Sequence, residues 1–179
     1  MHIYISGGCK NGKSHYAQRL AKALGRPLYY VATMIPADSE DDARIARHVA
    51  DREGWGFETI ELGRSILSAL DEADADGSFL LDSVTALLAN EMFAPGGFDA
   101  AAPARVAEEL ELFLRRTANA VLVSDYIFGD AAIYDAMTEA YVAGLAQIDR
   151  QIAAVCDAVL EVSAGRVICH KGDWGAVAL

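Results

Sequence analysis

Two hydrophobic rhythms alternate along this chain from end to end. Short, nearly continuous apolar runs give way to stretches whose apolar residues recur three and four positions apart. The first rhythm predicts strands over residues 2–6, 28–32, 57–62, 78–82, 120–124, 158–162 and 166–169. The second predicts helices over 14–24, 39–52, 65–73, 85–93, 103–118 and 134–155. Local chemistry marks several of the ends. Gly25 and Pro27 stop the first helix, and Ser39-Glu40-Asp41-Asp42 supplies an N-cap followed by acids in the first turn. Ala94-Pro95-Gly96-Gly97 breaks the helix before it, and Ala164-Gly165 turns the last two strands against each other. In the longest helical stretch, Tyr134, Met137, Tyr141 and Leu145 form one apolar face, expected to pack on the sheet.

Strands alternating with helices predict an α/β fold: a mostly parallel central sheet flanked by helices. Residues 94–102 are the one linker candidate, too short to separate a pair of domains, so residues 1–179 read as a single nucleotide-binding domain. The composition agrees with that picture. Hydrophobic residues make up 53% and charged residues 23% of the 179 positions, the balance of a globular core and not of a disordered chain. No apolar run approaches the ~20 residues that span a bilayer, and no signal-peptide pattern opens the sequence. The expectation is a cytoplasmic protein with no membrane span.

Charge narrows the partners. The 26 acidic residues against 15 Lys and Arg leave a formal charge of −11 with no basic run, an unfavourable surface for nucleic acid. Cys9, Cys156 and Cys169 lack the close spacing of a zinc site and read as reduced thiols. Cys9 falls inside a glycine-rich loop at a position that tolerates many residues.

That loop carries the strongest chemistry in the chain. Gly7-Gly8-Cys9-Lys10-Asn11-Gly12-Lys13-Ser14 follows an apolar strand and opens a helix, the context a phosphate loop requires. Its glycines let consecutive N–H groups turn inward on an anion, at a helix N-terminus that already favours negative charge. Lys13 is placed to reach the β- and γ-phosphates of ATP or GTP, and the Ser14 hydroxyl to ligate Mg2+. Phe79-Leu80-Leu81-Asp82, an apolar strand closing on a carboxylate, supplies the acid expected beside that metal. Asp74-Ala75-Asp76-Gly77 precedes its strand and Asn-Lys-x-Asp is absent, which argues against a GTP switch. A small-molecule kinase, another nucleotide-dependent transferase and a nucleotide-binding regulatory protein stay open at this point.

Arg44 and His48 lie one turn apart on the second predicted helix, with Arg47 beside them. A histidine among arginines either decorates a solvated face or binds phosphate. In the second case its imidazole can attack a phosphorus atom.

Several motifs occur in an order that resembles a known family. These are Gly7-Gly8-x-x-x-Gly12-Lys13-Ser14, Tyr30-Val31-Ala32-Thr33, Arg44-Ile45-x-x-His48, Thr59-Ile60-Glu61 and Leu80-Leu81-Asp82-Ser83-Val84-Thr85. The family is adenosylcobinamide kinase/adenosylcobinamide-phosphate guanylyltransferase, and the markers cover about the first half of the chain. The resemblance implies a RecA-like P-loop NTPase fold, a small homo-oligomer and a role in cobalamin nucleotide-loop assembly. It implies phosphorylation of the corrinoid's aminopropanol hydroxyl, followed by GMP transfer through a guanylylated histidine. Carried over by position, His48 is the GMP acceptor. Ala32, Thr33 and Met34 line the nucleotide pocket, and Arg52, Glu61 and Asp82 contact nucleotide or Mg2+.

The second half departs from the family pattern. Where members often read Thr-Asn-Glu-Val-Gly, this chain has Ser124-Asp125-Tyr126-Ile127-Phe128-Gly129, and Asp149-Arg150 replaces an Asn-Gln pair. Tyr126, Tyr134, Glu139, Tyr141 and Asp149 are candidates for a different acceptor pocket. Trp55 and Trp174 are candidates to stack on a base or on the corrin ring. His15 is expected on a solvated helix face, and His2 and His170 have no expected partners.

Overall fold

In the computed structural model, which describes residues 1–36 and 38–172, each apolar run becomes a strand. The strands are β1 His2–Gly7, β2 Leu28–Ala32, β3 Phe57–Glu61, β4 Ser78–Asp82, β5 Asn119–Asp125, β6 Ala158–Ser163 and β7 Arg166–Lys171. The helices are α1 Lys13–Leu24, α2 Ser39–Asp51, α3 Val84–Met92, α4 Ala102–Arg116 and α5 Ala136–Val155. All strands join one sheet in the order β3-β2-β4-β5-β1-β6-β7. Every pairing is parallel except β6 with β7, which run antiparallel through the turn at Ala164 and Gly165. Both turn residues have positive φ, 48° and 71°, as a tight hairpin of this twist demands.

A parallel sheet needs cover on both faces, and the strands are apolar on both. Ile3, Ile5, Leu80, Val121, Val123 and Leu160 point to one side, where Ala17, Leu20 and Ala21 of α1 cover them. Tyr4, Phe79, Leu81, Ala120 and Leu122 point to the other, under α3, α4 and α5. On that side α5 approaches α4 so closely at Gly144 that a Cβ there would sit 2.6 Å from Pro103 Cγ.

Two expectations need correction. Residues 65–73 do not form an α-helix but a short 3-10 helix, Ile66–Asp71, entered through Ser65 at φ 53°. Its two buried residues, Ile66 and Ala69, are three apart, the spacing that eclipses on a 3-10 turn. The long last helix begins two residues late because Asp135 caps it, accepting from Met137 N and Thr138 N at 2.9 Å each. Tyr134 is therefore outside the helix, and Tyr134 and Met137 are exposed, leaving Tyr141 and Leu145 to pack. Within the sheet β5 lies between β4 and β1, and its register sets Asp125 opposite Gly7.

His2 and His170 do have partners. His2 Nε2 lies 3.0 Å from Thr117 O, and His170 Nε2 lies 2.8 Å from Glu161. Trp174 and the tail from Asp173 to Leu179 lie outside the described residues.

Candidate active site

The carboxyl ends of β1, β2, β4 and β5 converge on one edge of the sheet, and the sequence-predicted residues gather there. Gly7 ends β1 where no side chain fits: a Cβ would collide with the Val162 carbonyl oxygen and the Asn11 amide. Asn11 fills that space, donating to Val162 O and accepting from Lys13 N at 3.2 Å. Lys10 (φ 55°) and Gly12 (φ 91°) are both left-handed, and α1 starts directly after them. This is the curled backbone that turns N–H groups onto an anion. Cys9 is an exposed free thiol on the same loop, while burial pushes the Cys156 thiol up to about 12.

Lys13 is only 6% exposed, and its charge is answered within the chain. Nζ lies 2.5 Å from Asp125 Oδ1 and donates to Gly8 O at 3.1 Å. Asp125 is the residue that sequence reasoning passed over. Its signal was the one used for Asp82, an apolar strand closing on an acid. Here β5 pairs with β1 in a register that sets Asp125 opposite Gly7. The Thr85 hydroxyl accepts from Asp125 N at 2.8 Å, and Tyr126 N donates to Gly7 O at 2.9 Å, so the start of the following loop is tied to the phosphate loop.

Two clefts open on this edge. One is lined by Lys10, Asn11, Gly12, Lys13 and Ser14 together with His15, Gln18, Arg47 and His48. The second is lined by Ala32, Met34, Arg52, Glu61 and Asp82, with Tyr30 and Thr59, and again by His48. His48 thus belongs to both. Among the described residues, neither its buried Nδ1 nor the buried Gln18 Oε1 of the first cleft has a hydrogen-bond partner. The Arg44 side chain lies outside the described residues.

Inside the second cleft the polar groups form a chain. Arg52 is buried, lies 4.1 Å over the Tyr30 ring, and donates to Thr59 Oγ1 at 3.1 Å. Tyr30 OH donates to Asp82 Oδ2 at 2.9 Å, fixing that carboxylate. Thr33 is fully buried and does not line the cleft as expected. Its hydroxyl donates to Ser83 O at 2.8 Å and accepts from Ser83 N at 2.6 Å, which locks β2 to the backbone that follows Asp82.

The suggested acceptor residues separate. Tyr126, Tyr134 and Tyr141 line a third, open cleft with Asp130 and Thr138, while Glu139 is outside it. Asp149 is buried behind β5, where desolvation, with Asp125 adding to it, raises its pKa to about 6 against the opposing influence of the Tyr4 and Ser124 hydroxyls. An acid raised in this way keeps its proton in the folded state while the unfolded chain, with a pKa of ~3.9, gives its proton up. The stability it contributes is present below pH ~4 and lost as pH rises through about 6. Asp149→Asn should therefore raise Tm near pH 7.5 by about 5 °C, with the gain shrinking towards pH 4, as followed by thermal unfolding across pH. Trp55 lines neither cleft itself; it packs edge-on against the His15 ring at 5.7 Å and under Lys22 Nζ at 4.8 Å.

A family model described as cobinamide kinase / cobinamide phosphate guanyltransferase matches residues 3–169. The chain is 29% identical over 178 residues to the bifunctional adenosylcobalamin biosynthesis protein CobP of Pseudomonas aeruginosa, covering 97% of this chain and 99% of that protein. It is also 29% identical over 178 residues to the bifunctional adenosylcobalamin biosynthesis protein CobU of Salmonella typhimurium, covering 92% and 97%. Among solved structures, a KaiC-like protein of the hyperthermophilic archaeon Pyrococcus horikoshii superposes with a TM-score of 0.53 at 13% identity, covering 96% of this chain and 79% of that one, which shows a shared RecA-like P-loop fold. The match across nearly the whole length, with the phosphate loop and His48 on one edge of the sheet, places this chain in the cobinamide kinase/cobinamide phosphate guanyltransferase family.

Proposed function

We propose that this chain carries out both reactions of its family on one sheet edge. It transfers the γ-phosphoryl group of ATP or GTP to the aminopropanol hydroxyl of adenosylcobinamide, then moves GMP from GTP to the resulting phosphate through His48. The observation that carries the reading is the position of His48, which forms a wall of both the phosphate-loop cleft and the cleft of Arg52 and Asp82. A triphosphate cradled by residues 7–14 runs past this imidazole. Attack forms a bond from a ring nitrogen to the α-phosphorus and breaks the α–β bridge, and pyrophosphate leaves. Arg47 on the same cleft wall and Lys13 counter the charge that develops.

Ser14 and Asp82 suit Mg2+, an ion that takes one or two protein oxygens and keeps water and phosphate as its other ligands. Asp82 is held by Tyr30, so its carboxylate has a fixed direction. Bound there, the metal would neutralise phosphate charge and hold the triphosphate in one geometry. Asp82→Asn is accordingly expected to lower magnesium-dependent turnover by about a hundredfold while changing nucleotide affinity by less than about fivefold. Identical magnesium titrations for both proteins would remove Asp82 from the metal site. We further place the enzyme in the cytoplasm as a small homo-oligomer. The carboxylate-rich chain, at −11, has no nucleic-acid partner in this reading.

Intact mass after incubation with GTP and magnesium tests the guanylyl half, since a mass gain of one GMP is expected. Radiolabel transfer from γ-labelled nucleotide to adenosylcobinamide tests the kinase half. Nucleotide binding with neither outcome would mark a regulatory protein, and phosphorylation of other hydroxylated metabolites alone would mark a different kinase.

A further inference from the structure

We propose that the open cleft walled by Tyr126, Tyr134 and Tyr141 receives the acceptor alcohol of the kinase step, and that the Asp125 carboxylate aims its hydroxyl at the γ-phosphorus. The proposal rests on the kinase reading above and adds to it a place for the second substrate.

Asp125 is positioned by the sheet and not by its own loop. The β1–β5 register sets it opposite Gly7, and the Thr85 hydroxyl fixes its backbone N–H. Its ion pair with Lys13 shows that the carboxylate sits within one bond's reach of the ammonium that holds the terminal phosphates. A nucleotide brings several negative charges to that ammonium, and a single carboxylate cannot compete with them. Nucleotide binding thus frees Asp125 beside the γ-phosphate, where it repels phosphate and is left to accept a hydrogen bond from a hydroxyl.

The cleft continues directly from that point. Tyr126 is the next residue, and Tyr141 is anchored at the same place, its OH donating to Thr85 O at 3.0 Å. Burial, with Asp125 and Asp149 adding to it, raises the Tyr141 pKa, as expected of a phenol in the field of that carboxylate. Tyr134 closes the far side, its OH donating to Asp130 Oδ2 at 2.5 Å. The Tyr126 ring stands 55% exposed, braced edge-on by Phe128 at 5.5 Å. Broad exposed aromatic walls with hydroxyl tips suit a large flat acceptor that carries amide groups, and serve a small polyol poorly.

In the transfer, the acceptor oxygen bonds to the γ-phosphorus as the bond from that phosphorus to the β–γ bridging oxygen breaks. The nucleoside diphosphate leaves, and the hydroxyl proton passes to Asp125 and then to solvent. The transition state of such transfers is loose, so aiming the oxygen matters more than removing its proton early. Asn keeps an acceptor oxygen at this position and Ala does not.

The test is steady-state phosphorylation of adenosylcobinamide by the full chain, alongside Kd for a non-hydrolysable nucleotide. Asp125→Ala should lose about a hundredfold or more in kcat with nucleotide affinity unchanged or tighter, and Asp125→Asn should recover to within about tenfold of the parent although it too lacks the Lys13 ion pair. Tyr126→Ala, at an exposed site, should raise the acceptor KM about tenfold without altering nucleotide Kd. The proposal is overturned if Asp125→Ala turns over like the parent, if both Asp125 variants lose nucleotide binding, or if Tyr126→Ala leaves the acceptor KM untouched. A parent protein that does not phosphorylate adenosylcobinamide would instead bring down the kinase reading itself.

Discussion

Lys13→Ala should lower phosphoryl transfer by about a thousandfold and at the same time destabilise the fold by about 2 kcal/mol. The catalytic loss follows from the role proposed for Lys13, a point charge on the β/γ-phosphates. The stability loss follows from the ion pair, because Lys13 and Asp125 side chains are 8% and 19% exposed and the truncation strands a largely buried carboxylate. For a chain of this size the cost corresponds to a Tm lower by about 5 °C. Lys13→Ala with Asp125→Asn separates the effects. The double variant removes both charges, so its Tm should return most of the way while transfer stays as low as in the single variant. A single variant with unchanged Tm would mean that the 2.5 Å pair contributes little to the folded state, and transfer at near-parent rate would remove the lysine from the phosphate site.

Sequence alone carried the sheet furthest where the physics is local. Buried parallel strands must be apolar on both faces, so runs such as Phe79-Leu80-Leu81 declare themselves, and a phosphate loop needs glycines at fixed places whatever surrounds it. Sheet order is a different matter. Nothing in residues 78–82 or 119–125 says that β5 inserts between β4 and β1, and that insertion gives Asp125 to Lys13 and leaves Asp82 to Tyr30. The motif order identified a cleft at residues 32–34, yet alternation across β2 and the bend after it send Thr33 inward to Ser83 while Ala32 and Met34 face the cleft. Tyr134 shows the reverse error. Its spacing fits the α5 stripe, but the Asp135 cap starts the helix after it and leaves the ring on an open cleft. Partners set by contacts far apart in sequence, such as Arg52 over Tyr30, leave no periodic trace.

His48→Asn is expected to abolish covalent GMP capture entirely while retaining most of the kinase activity, and this variant separates a bifunctional enzyme from a kinase with a family likeness. The two reactions share the phosphate loop but need different nucleophiles: a substrate hydroxyl for the γ-phosphorus, a ring nitrogen for the α-phosphorus. His48 reaches the phosphate-loop cleft from α2 and not from the loop itself, so its loss leaves Lys13, Ser14 and the Lys13–Asp125 pair in place. Because Nδ1 is buried, the adduct is expected on Nε2. Phosphoramidates of histidine are labile to acid and stable to base, which distinguishes them from phosphate esters of serine or threonine. The measurements are intact mass before and after acid treatment, peptide mapping of the adduct, and adenosylcobinamide phosphorylation by the variant. An adduct that persists in His48→Asn would move the nucleophile elsewhere. Parallel loss of both activities would mean that His48 serves nucleotide binding in general, and the two-cleft geometry would then describe one substrate site instead of two reactions.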